Sequence, residues 1–503
     1  MNILLFNVPS RGGSGGFTLP LGLLYVGGTI ERCNQKVKIV DLYLEQHKGT
    51  ELDLDKIKQI INQYNPSIVG YGGIATSYGR TKKLSAYLKT HYPHITQIVG
   101  GALSSVYELL LKKTSVDVVF HGEAEVSLPE FLERVNKKES FYKVQGISYL
   151  QNGKVVRNPP AEQIKDIDII PLPAYHLVDV PTYLSPIKGW IDIHKLQLKS
   201  PHYANLANKV GDKDYFISMV TARGCTNRCS FCYRHVKGVR QNSVDYVIKH
   251  IEYLKKNYRI KGFKFNDELF NSNRDWVMEL CDAIEKNNPD ICYIVGGARV
   301  DKIDEEMLYR LKDTGCIAIN YGQESGSDKI LKEYRKGVTR QKNVEITNLT
   351  NKIGVFNVVQ LVIGSPGETT DTIFETIQFL KEVNSFNYSL NYLIPLPETP
   401  IWKYVEKNEL IEDVEKYLDS VAQYGGTPIV NLTKESDKVW KSWDSIIRRE
   451  LKLHYYGSEN RTLFYYSYKL LNPLVKKLYP LIRVFSPLIP FRIKKSIADW
   501  VDL

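Results

Sequence analysis

The sequence predicts an α/β protein in three parts: a doubly wound parallel sheet, an open parallel barrel and a helical C-terminal region. Three observations predict it. Short apolar runs recur at residues 3–6, 37–40, 68–71, 95–99 and 116–120, with helix-periodic segments between several of them. A second series, at 216–221, 262–266, 291–295, 316–321, 355–364 and 388–394, is separated by amphipathic helical patterns. Beyond residue 400 the patterns are helical. A chain of 503 residues exceeds one hydrophobic core, and we place its boundaries at 1–140, 141–213, 214–400 and 401–503.

Composition narrows the function class. A hydrophobic fraction of 43% with 24% charged residues is that of a folded globular protein. The net charge of +11 is diluted by acidic residues until the C-terminus, so nucleic acid is not an expected partner. Seven cysteines, an odd number without framework spacing, point to a reducing, cytoplasmic setting. Cys33, Cys281, Cys292 and Cys316 stand singly in apolar or helical runs and read as small core residues. The N-terminus opens on a strand pattern with no basic leader, and no run of about 18 apolar residues occurs.

In the first unit, Leu54, Ile57, Ile60 and Ile61 share one helix face, and Leu84, Tyr87 and Leu88 share another. Strand and helix alternate, as in a Rossmann-like sheet, which binds ligands beyond the carboxyl ends of its strands. Those ends carry Leu19-Pro20-Leu21-Gly22, the stretch from Gly72 through Thr76-Ser77-Tyr78, Gly100-Gly101-Ala102-Leu103 and His121-Gly122-Glu123-Ala124-Glu125. Small residues there let backbone approach a flat or bulky ligand. No G-x-G-x-x-G opens the first helix, which disfavours a nicotinamide or flavin dinucleotide.

Residues 141–213 read as a hairpin and linker. Gln151-Asn152-Gly153 supplies a favoured hairpin turn, and Pro159-Pro160 with Ile170-Pro171-Leu172-Pro173 makes an extended connection. Tyr175 and His176 could reach a substrate, with surface packing the favoured reading.

The second unit begins with its most informative stretch, Arg223-Gly224-Cys225-Thr226-Asn227-Arg228-Cys229-Ser230-Phe231-Cys232. Three thiols at C-x3-C-x2-C, leaving a buried strand, can aim at one point and select a soft metal. Three thiolates leave one iron of a four-iron cube with an open site. Zinc with His235 as fourth ligand fits no usual structural spacing. Further along, polar residues recur at strand carboxyl ends: Asp267 and Glu268, Arg299, Gln323 and Glu324, and Gly364-Ser365-Pro366-Gly367-Glu368. Carboxylates suit an ammonium and ribose hydroxyls, and a guanidinium suits a carboxylate. Arg299 and Glu324 could instead pair with each other.

The cysteine loop resembles that of the radical S-adenosylmethionine (SAM) superfamily, and Phe231 matches the family's usual aromatic. The resemblance implies a partial (β/α)6 barrel of TIM type and a 4Fe-4S cluster on Cys225, Cys229 and Cys232, whose open iron chelates SAM. One electron, from an external donor such as flavodoxin or ferredoxin, then yields a 5'-deoxyadenosyl radical. Backbone around Phe231 would face the adenine. Asp267 and Glu268 occupy the place of the amino-group motif, Glu324 matches a ribose or cofactor contact, and Gly364 begins an element similar to the family's fifth-strand Gly-x-Pro-Gly-Glu-Thr.

The first unit is similar to the cobalamin-binding domain that precedes some of these barrels. The resemblance rests on Pro20-Leu21-Gly22-Leu23-Leu24-Tyr25, Gly100-Gly101-Ala102-Leu103 and Gly122-Glu123-Ala124-Glu125. It implies cobalamin held by Leu19, Pro20, Gly22, Thr76, Ser77, Tyr78, Gly100, Gly101, Ala102, Leu103, Gly122, Glu123 and Glu125. The Asp-x-His-x-x-Gly motif is missing, so the implied state is base-off without a histidine ligand; the same absence also fits a domain that has lost cobalamin. Asp192-Ile193-His194 copies half that motif in the wrong place. The implied reaction is radical methylation of an unactivated carbon in a natural-product or lipid-like substrate. The rivals are a radical cyclisation or rearrangement, and a sensor without turnover.

The C-terminal region reads as helices at 405–418 and 439–453, followed by a basic amphipathic stretch, 463–497, free of acidic residues. Such a tail either lies on an anionic bilayer, placing the protein at the inner membrane surface, or packs as a helical cap.

Overall fold

The computed structural model describes residues 1–10, 18–44, 52–195, 210–234, 236–385, 387–421 and 429–458. The first sheet contains β1 (Asn2–Asn7), β2 (Lys36–Asp41), β3 (Ile68–Gly72), β4 (Thr96–Gly100), β5 (Val118–Phe120), β6 (Ile147–Gln151) and β7 (Lys154–Arg157), in the order β2-β1-β3-β4-β5-β6-β7. The first five strands are parallel, because helices such as Leu21–Arg32 and Tyr78–His91 carry the chain back between them. Ile57, Ile61, Leu84 and Leu88 of the expected stripes are buried. The hairpin β6–β7 pairs antiparallel with β5, so it extends this sheet and does not belong to the linker that its sequence adjoins.

The linker is clamped to both units. Tyr175 is fully buried and its hydroxyl lies 2.8 Å from His250 Nε2, while His176 is exposed and pairs with Glu31 at 2.9 Å. Burial lowers the His250 pKa to about 3. A histidine depressed in the folded state binds its proton mainly when unfolded, so this contribution is full above about pH 6.5 and fades as the pH falls below it. Between pH 7 and 5 the urea midpoint is expected to fall, and His250→Gln, which keeps a partner for Tyr175 but cannot titrate, is expected to flatten that fall.

The second sheet begins with β8 (Ser185–Pro186), antiparallel to β9 (Tyr215–Met219). After an antiparallel ribbon, β10 (Ala222–Cys225) with β11 (Gly238–Gln241), come β12 (Gly262–Phe265), β13 (Cys292–Ala298), β14 (Cys316–Glu324), β15 (Phe356–Ile363) and β16 (Tyr388–Tyr392). The order β16-β15-β14-β13-β12-β9-β8 makes six parallel strands that do not close: an open half-barrel. Helices pack its outer face; Val244–Tyr258, capped by Ser243 as its sequence predicts, buries Val244, Val247, Ile248, Ile251 and Leu254. Cys281, Cys292 and Cys316 are buried in this core.

Beyond the barrel the expected helix at 405–418 is two helices, Pro400–Lys407 and Val414–Ser420. Glu409 takes a left-handed φ of 51° and Asp413 caps the second helix, so the chain turns between them. This pair packs Ile401, Trp402, Val405, Tyr417 and Leu418 into the core of the first sheet, whereas Asp437–Ser458 lays Trp440 and Trp443 on the barrel. The basic stretch 463–497 lies outside the described residues. Among the described residues no helix is long and apolar enough to cross a membrane.

Candidate active site

The cysteine loop is launched by a carboxylate. Asp267, just past β12, accepts from the backbone N–H groups of Thr221 (2.6 Å) and Ala222 (2.8 Å) and from the Thr221 hydroxyl (2.7 Å). These bonds fix where the chain leaves β9 and enters β10. Burial, the largest influence, holds the Asp267 pKa up at about 6 despite the three donors. Gly224 follows with φ of 83°, and a Cβ there would clash with the Gly238 carbonyl, so only glycine lets β10 pair this closely with β11 ahead of Cys225.

All three thiols lie on this loop. The Asn227 backbone N–H donates to Cys225 Sγ (3.4 Å) and its Nδ2 to Cys229 Sγ (3.8 Å), while Cys229 and Cys232 share a hydrogen bond. That bond, followed by the nearby Lys336 ammonium, brings the Cys229 thiol down to about 6; Cys232 is raised by the same bond. Among the described residues no three His, Cys, Asp or Glu side chains form a ready-made site for a single metal ion. The loop is tied down by Ser230 N–H to the Tyr334 carbonyl (2.9 Å), Ile401 N–H to the Ser230 carbonyl (2.9 Å), and the Phe231 ring edge-on to Tyr334 at 5.1 Å. His235, the zinc alternative, lies outside the described residues.

A cavity of about 510 Å³ opens between the carboxyl ends of β1 and β3–β5 and the start of the cysteine loop. Gly22, Gly72, Gly73, Gly100, Gly101 and Gly122 line one side, and Arg223, Gly224 and Glu268 line the other. A Cβ at Gly22 would meet nothing within 4 Å, so a side chain there would enter open space, whereas at Gly72 and Gly73 it would crowd Leu23 and Ser77, so those two glycines allow close packing of the cavity wall. No histidine lines it. Arg223 crosses the cavity wall, with Nη1 3.0 Å from Glu123 Oε1, Nη2 2.7 Å from Glu125 Oε1, and its guanidinium 4.9 Å from the centre of the Tyr25 ring. Arg240 adds a second contact to Glu123 at 2.8 Å.

Comparison with known proteins decides the family. The Radical SAM superfamily model matches residues 219–380 and the B12 binding domain model matches residues 11–132. The chain belongs to the radical SAM enzymes that carry a B12-binding domain. It is 27% identical over 397 residues, 78% of this chain and 79% of its relative, to an uncharacterised methyltransferase of Pyrococcus horikoshii. It is 25% identical over 388 residues to the cytidylyl-2-hydroxyethylphosphonate methyltransferase of Streptomyces wedmorensis, covering 69% of each chain. Among solved structures, the cobalamin-dependent radical enzyme OxsB with aqua-cobalamin bound superposes with a TM-score of 0.65 at 17% identity, covering 99% of this chain and 70% of that one. The radical SAM methyltransferase TsrM of Kitasatospora setae, with tryptophan and a SAM analogue, gives 0.62 at 17%, covering 82% and 77%.

In the radical SAM domain the expected SAM contacts have these surroundings. Asp267 is spent on backbone. Glu268 faces the cavity and accepts from the Gly224 N–H. Arg299 pairs with Asp301 (2.8 Å) and the Lys336 carbonyl (2.9 Å), not with Glu324, and its Nη1 is buried without a partner, as a site for a carboxylate requires. Glu324 has a strained left-handed φ of 66° and accepts from Lys336 Nζ at 2.9 Å. Gln323, placed with these at the sequence level, is buried and bonds Thr347 instead. Gly364 (φ 96°) turns the chain after β15, its N–H bound by Glu368 Oε2.

In the B12-binding domain Pro20, Gly22, Gly100, Gly101, Gly122, Glu123 and Glu125 line the cavity. Leu19, Thr76, Ser77, Tyr78, Ala102 and Leu103 are not among its lining residues. Leu19 and Leu103 are core, Ser77 donates to the Val8 carbonyl (2.9 Å), and Tyr78 is buried with its hydroxyl on Glu415. Thr76 Oγ1 is buried without a partner, and the Ala102 carbonyl accepts from Ser105. Sequence reasoning missed Arg223, Arg240, Asn227 and Lys336. Arg223 and Asn227 were legible only as neighbours of the thiols; Arg240 and Lys336 carry no local signal, because Glu123 and the cysteine loop lie a hundred or more positions away.

Glu368 is buried, and burial raises its pKa to about 8, so it is protonated near neutrality. A carboxyl raised in the folded state keeps its contribution below the unfolded pKa and loses it as the pH rises through about 8. Glu368→Gln is therefore expected to lift the thermal midpoint at pH 8.5 and leave it nearly unchanged at pH 5, as read by scanning calorimetry.

Proposed function

We propose that this enzyme transfers a methyl group from SAM to an unactivated carbon of a natural-product or lipid-like substrate, using a 4Fe-4S cluster on Cys225, Cys229 and Cys232 and base-off cobalamin in the glycine-lined cavity. The observation that carries this reading is the single cavity bounded both by the B12-binding strand ends and by Arg223, Gly224 and Glu268 beside Cys225. Cofactors seated on the two domains would share one chamber. When bound, the cluster and cobalamin supply a radical from SAM and a transferable methyl group respectively.

The chain's own residues supply position and charge. Asp267 fixes the loop, Asn227 and Lys336 place N–H and ammonium donors near the thiolates, and the free Arg299 Nη1 suits the SAM carboxylate. Glu268 offers a carboxylate to the SAM ammonium, Glu324 a carboxylate to the ribose, and backbone at Phe231 and Gly364 the walls for the adenine. Electrons come from an external donor such as flavodoxin or ferredoxin, and the basic 463–497 stretch supports contact with an anionic membrane surface.

A second reading is radical cyclisation, favoured by 23% identity over 376 residues to the anaerobic magnesium-protoporphyrin IX monomethyl ester cyclase of Rubrivivax gelatinosus. Anaerobic reconstitution with methyl-labelled SAM separates the readings. Label in the product supports methyl transfer, and 5'-deoxyadenosine with an unlabelled product supports cyclisation. No 5'-deoxyadenosine from the reduced, loaded protein overturns both.

A further inference from the structure

The inner wall of the half-barrel carries a cation, Lys264, that no carboxylate among the described residues answers. On β12 the rings of Phe263 and Phe265 are fully buried in the core on the helix side, so Lys264 and Asn266 face the lumen. By the same alternation Ser218, Asn320, Gln360, Ser389 and Asn391 face inward, since Met219, Ile319, Tyr321, Val359, Leu361, Tyr388 and Leu390 pack outward. This inner wall is polar but neutral.

Below it the floor is apolar. Ile187 and Ile191 of the helix Ile187–Lys195 plug the barrel and pack with Phe216, Cys292, Ile294 and Phe356. Lys264 lies on that floor: its Nζ is 5.3 Å from the centre of the Phe216 ring and 2.9 Å from Ser185 Oγ, and its register neighbours are Ser218 and Ile294. Among the described residues no carboxylate pairs with it, and residues 196–209 contain no Asp or Glu. Burial pulls its pKa down, as expected for an ammonium without a counter-charge. A half-buried charge with a single neutral partner is costly to maintain unless a ligand completes it.

We propose that Lys264, with the Ser185 and Ser218 hydroxyls, is the anion subsite of the substrate pocket, so that the substrate carries a carboxylate or a phosphoryl or phosphonyl group at the end remote from the reacting carbon. This rests on the methyltransferase reading and names the substrate class for it. Lys264 and Glu268 are four positions apart, the strand ending at Phe265 and the chain bending at Glu268, so their backbones are at most roughly 13 Å apart. The anion therefore lies within that reach of the rim where Glu268 stands, and the neutral wall between them contacts the middle of the molecule.

The test uses the anaerobically reconstituted full chain. Lysines are acetylated by acetic anhydride at neutral pH, and Lys264 modification is followed by peptide mass spectrometry with inorganic phosphate, phenylphosphonate, benzoate or the neutral benzamide present. Slowing of Lys264 labelling by about fivefold or more with at least one anion, but not with benzamide or at other lysines, is the expected result. Which anion protects distinguishes a phosphoryl-type group from a carboxylate. Equal labelling in all four conditions, or protection by benzamide equal to that by the anions, overturns the proposal. With the protecting anion in radiolabelled form, equilibrium dialysis is expected to show binding retained by Lys264→Arg and weakened at least tenfold by Lys264→Met, both variants keeping their cluster and cobalamin absorbance. Wild-type affinity in Lys264→Met overturns it. None of these readouts involves turnover, so a failure of the methyltransferase reading, seen as absent 5'-deoxyadenosine, is a separate result.

Discussion

Cys229→Ala is expected to purify with almost no bound iron, against about four irons per reconstituted wild-type chain, and to form no 5'-deoxyadenosine. The prediction follows from the loop: Cys229 is buried, holds the low-pKa thiol and is addressed by both Cys232 and Asn227. None of the three thiols lines the glycine-walled cavity, so the cobalamin absorbance of the reconstituted variant is expected to survive. Iron analysis and the visible spectrum read the two separately. Cys281→Ala is the control. Its thiol is buried within a helix of the barrel's outer layer, so the change is expected to lower stability slightly and leave iron content alone.

Arg223→Ala is expected to have the second largest effect. Its guanidinium joins Glu123 and Glu125 of the B12-binding domain to the residue two before Cys225, and the Glu123 side chain is only 5% exposed. Removing one partner of a buried ion pair leaves an uncompensated charge and costs about 3–5 kcal/mol. Arg240 remains on Glu123 and moderates the loss, but no described salt bridge compensates Glu125. Cobalamin retention after gel filtration is expected to drop at least tenfold, with a lower urea midpoint. Arg223→Lys is expected to recover little, because one ammonium cannot bridge two carboxylates and stack on Tyr25 together. Retention equal to wild type in Arg223→Ala would show that this network does not set the cavity wall.

Much of the architecture was legible because it is written in local periodicity. The apolar runs of both sheets fell on observed strands, and Ser243 capped the helix it preceded. The hairpin and the C-terminal helices were placed less well. A strand pattern does not say which sheet edge it joins, and the helical periodicity across 405–418 gave no weight to the left-handed turn at Glu409. At the site, the three cysteines were legible because their spacing is itself the signal. Asp267 and Tyr78 carry the right chemistry in the right order, yet the fold turns one onto backbone at residues 221–222 and the other onto Glu415.

The sequence alone determined the order of the two parallel-sheet units, the thiol-bearing loop and the glycine-rich strand ends, since each depends on residues a few positions apart. Only the tertiary structure decided that those glycines and that loop wall one cavity, that Arg223 and Glu123 join across it, and that Lys264 stands in the barrel without a counter-ion among the described residues. The reason is physical: such pairings depend on strand order and on helices that return the chain, which bring together residues a hundred positions apart, and local periodicity carries no record of that distance.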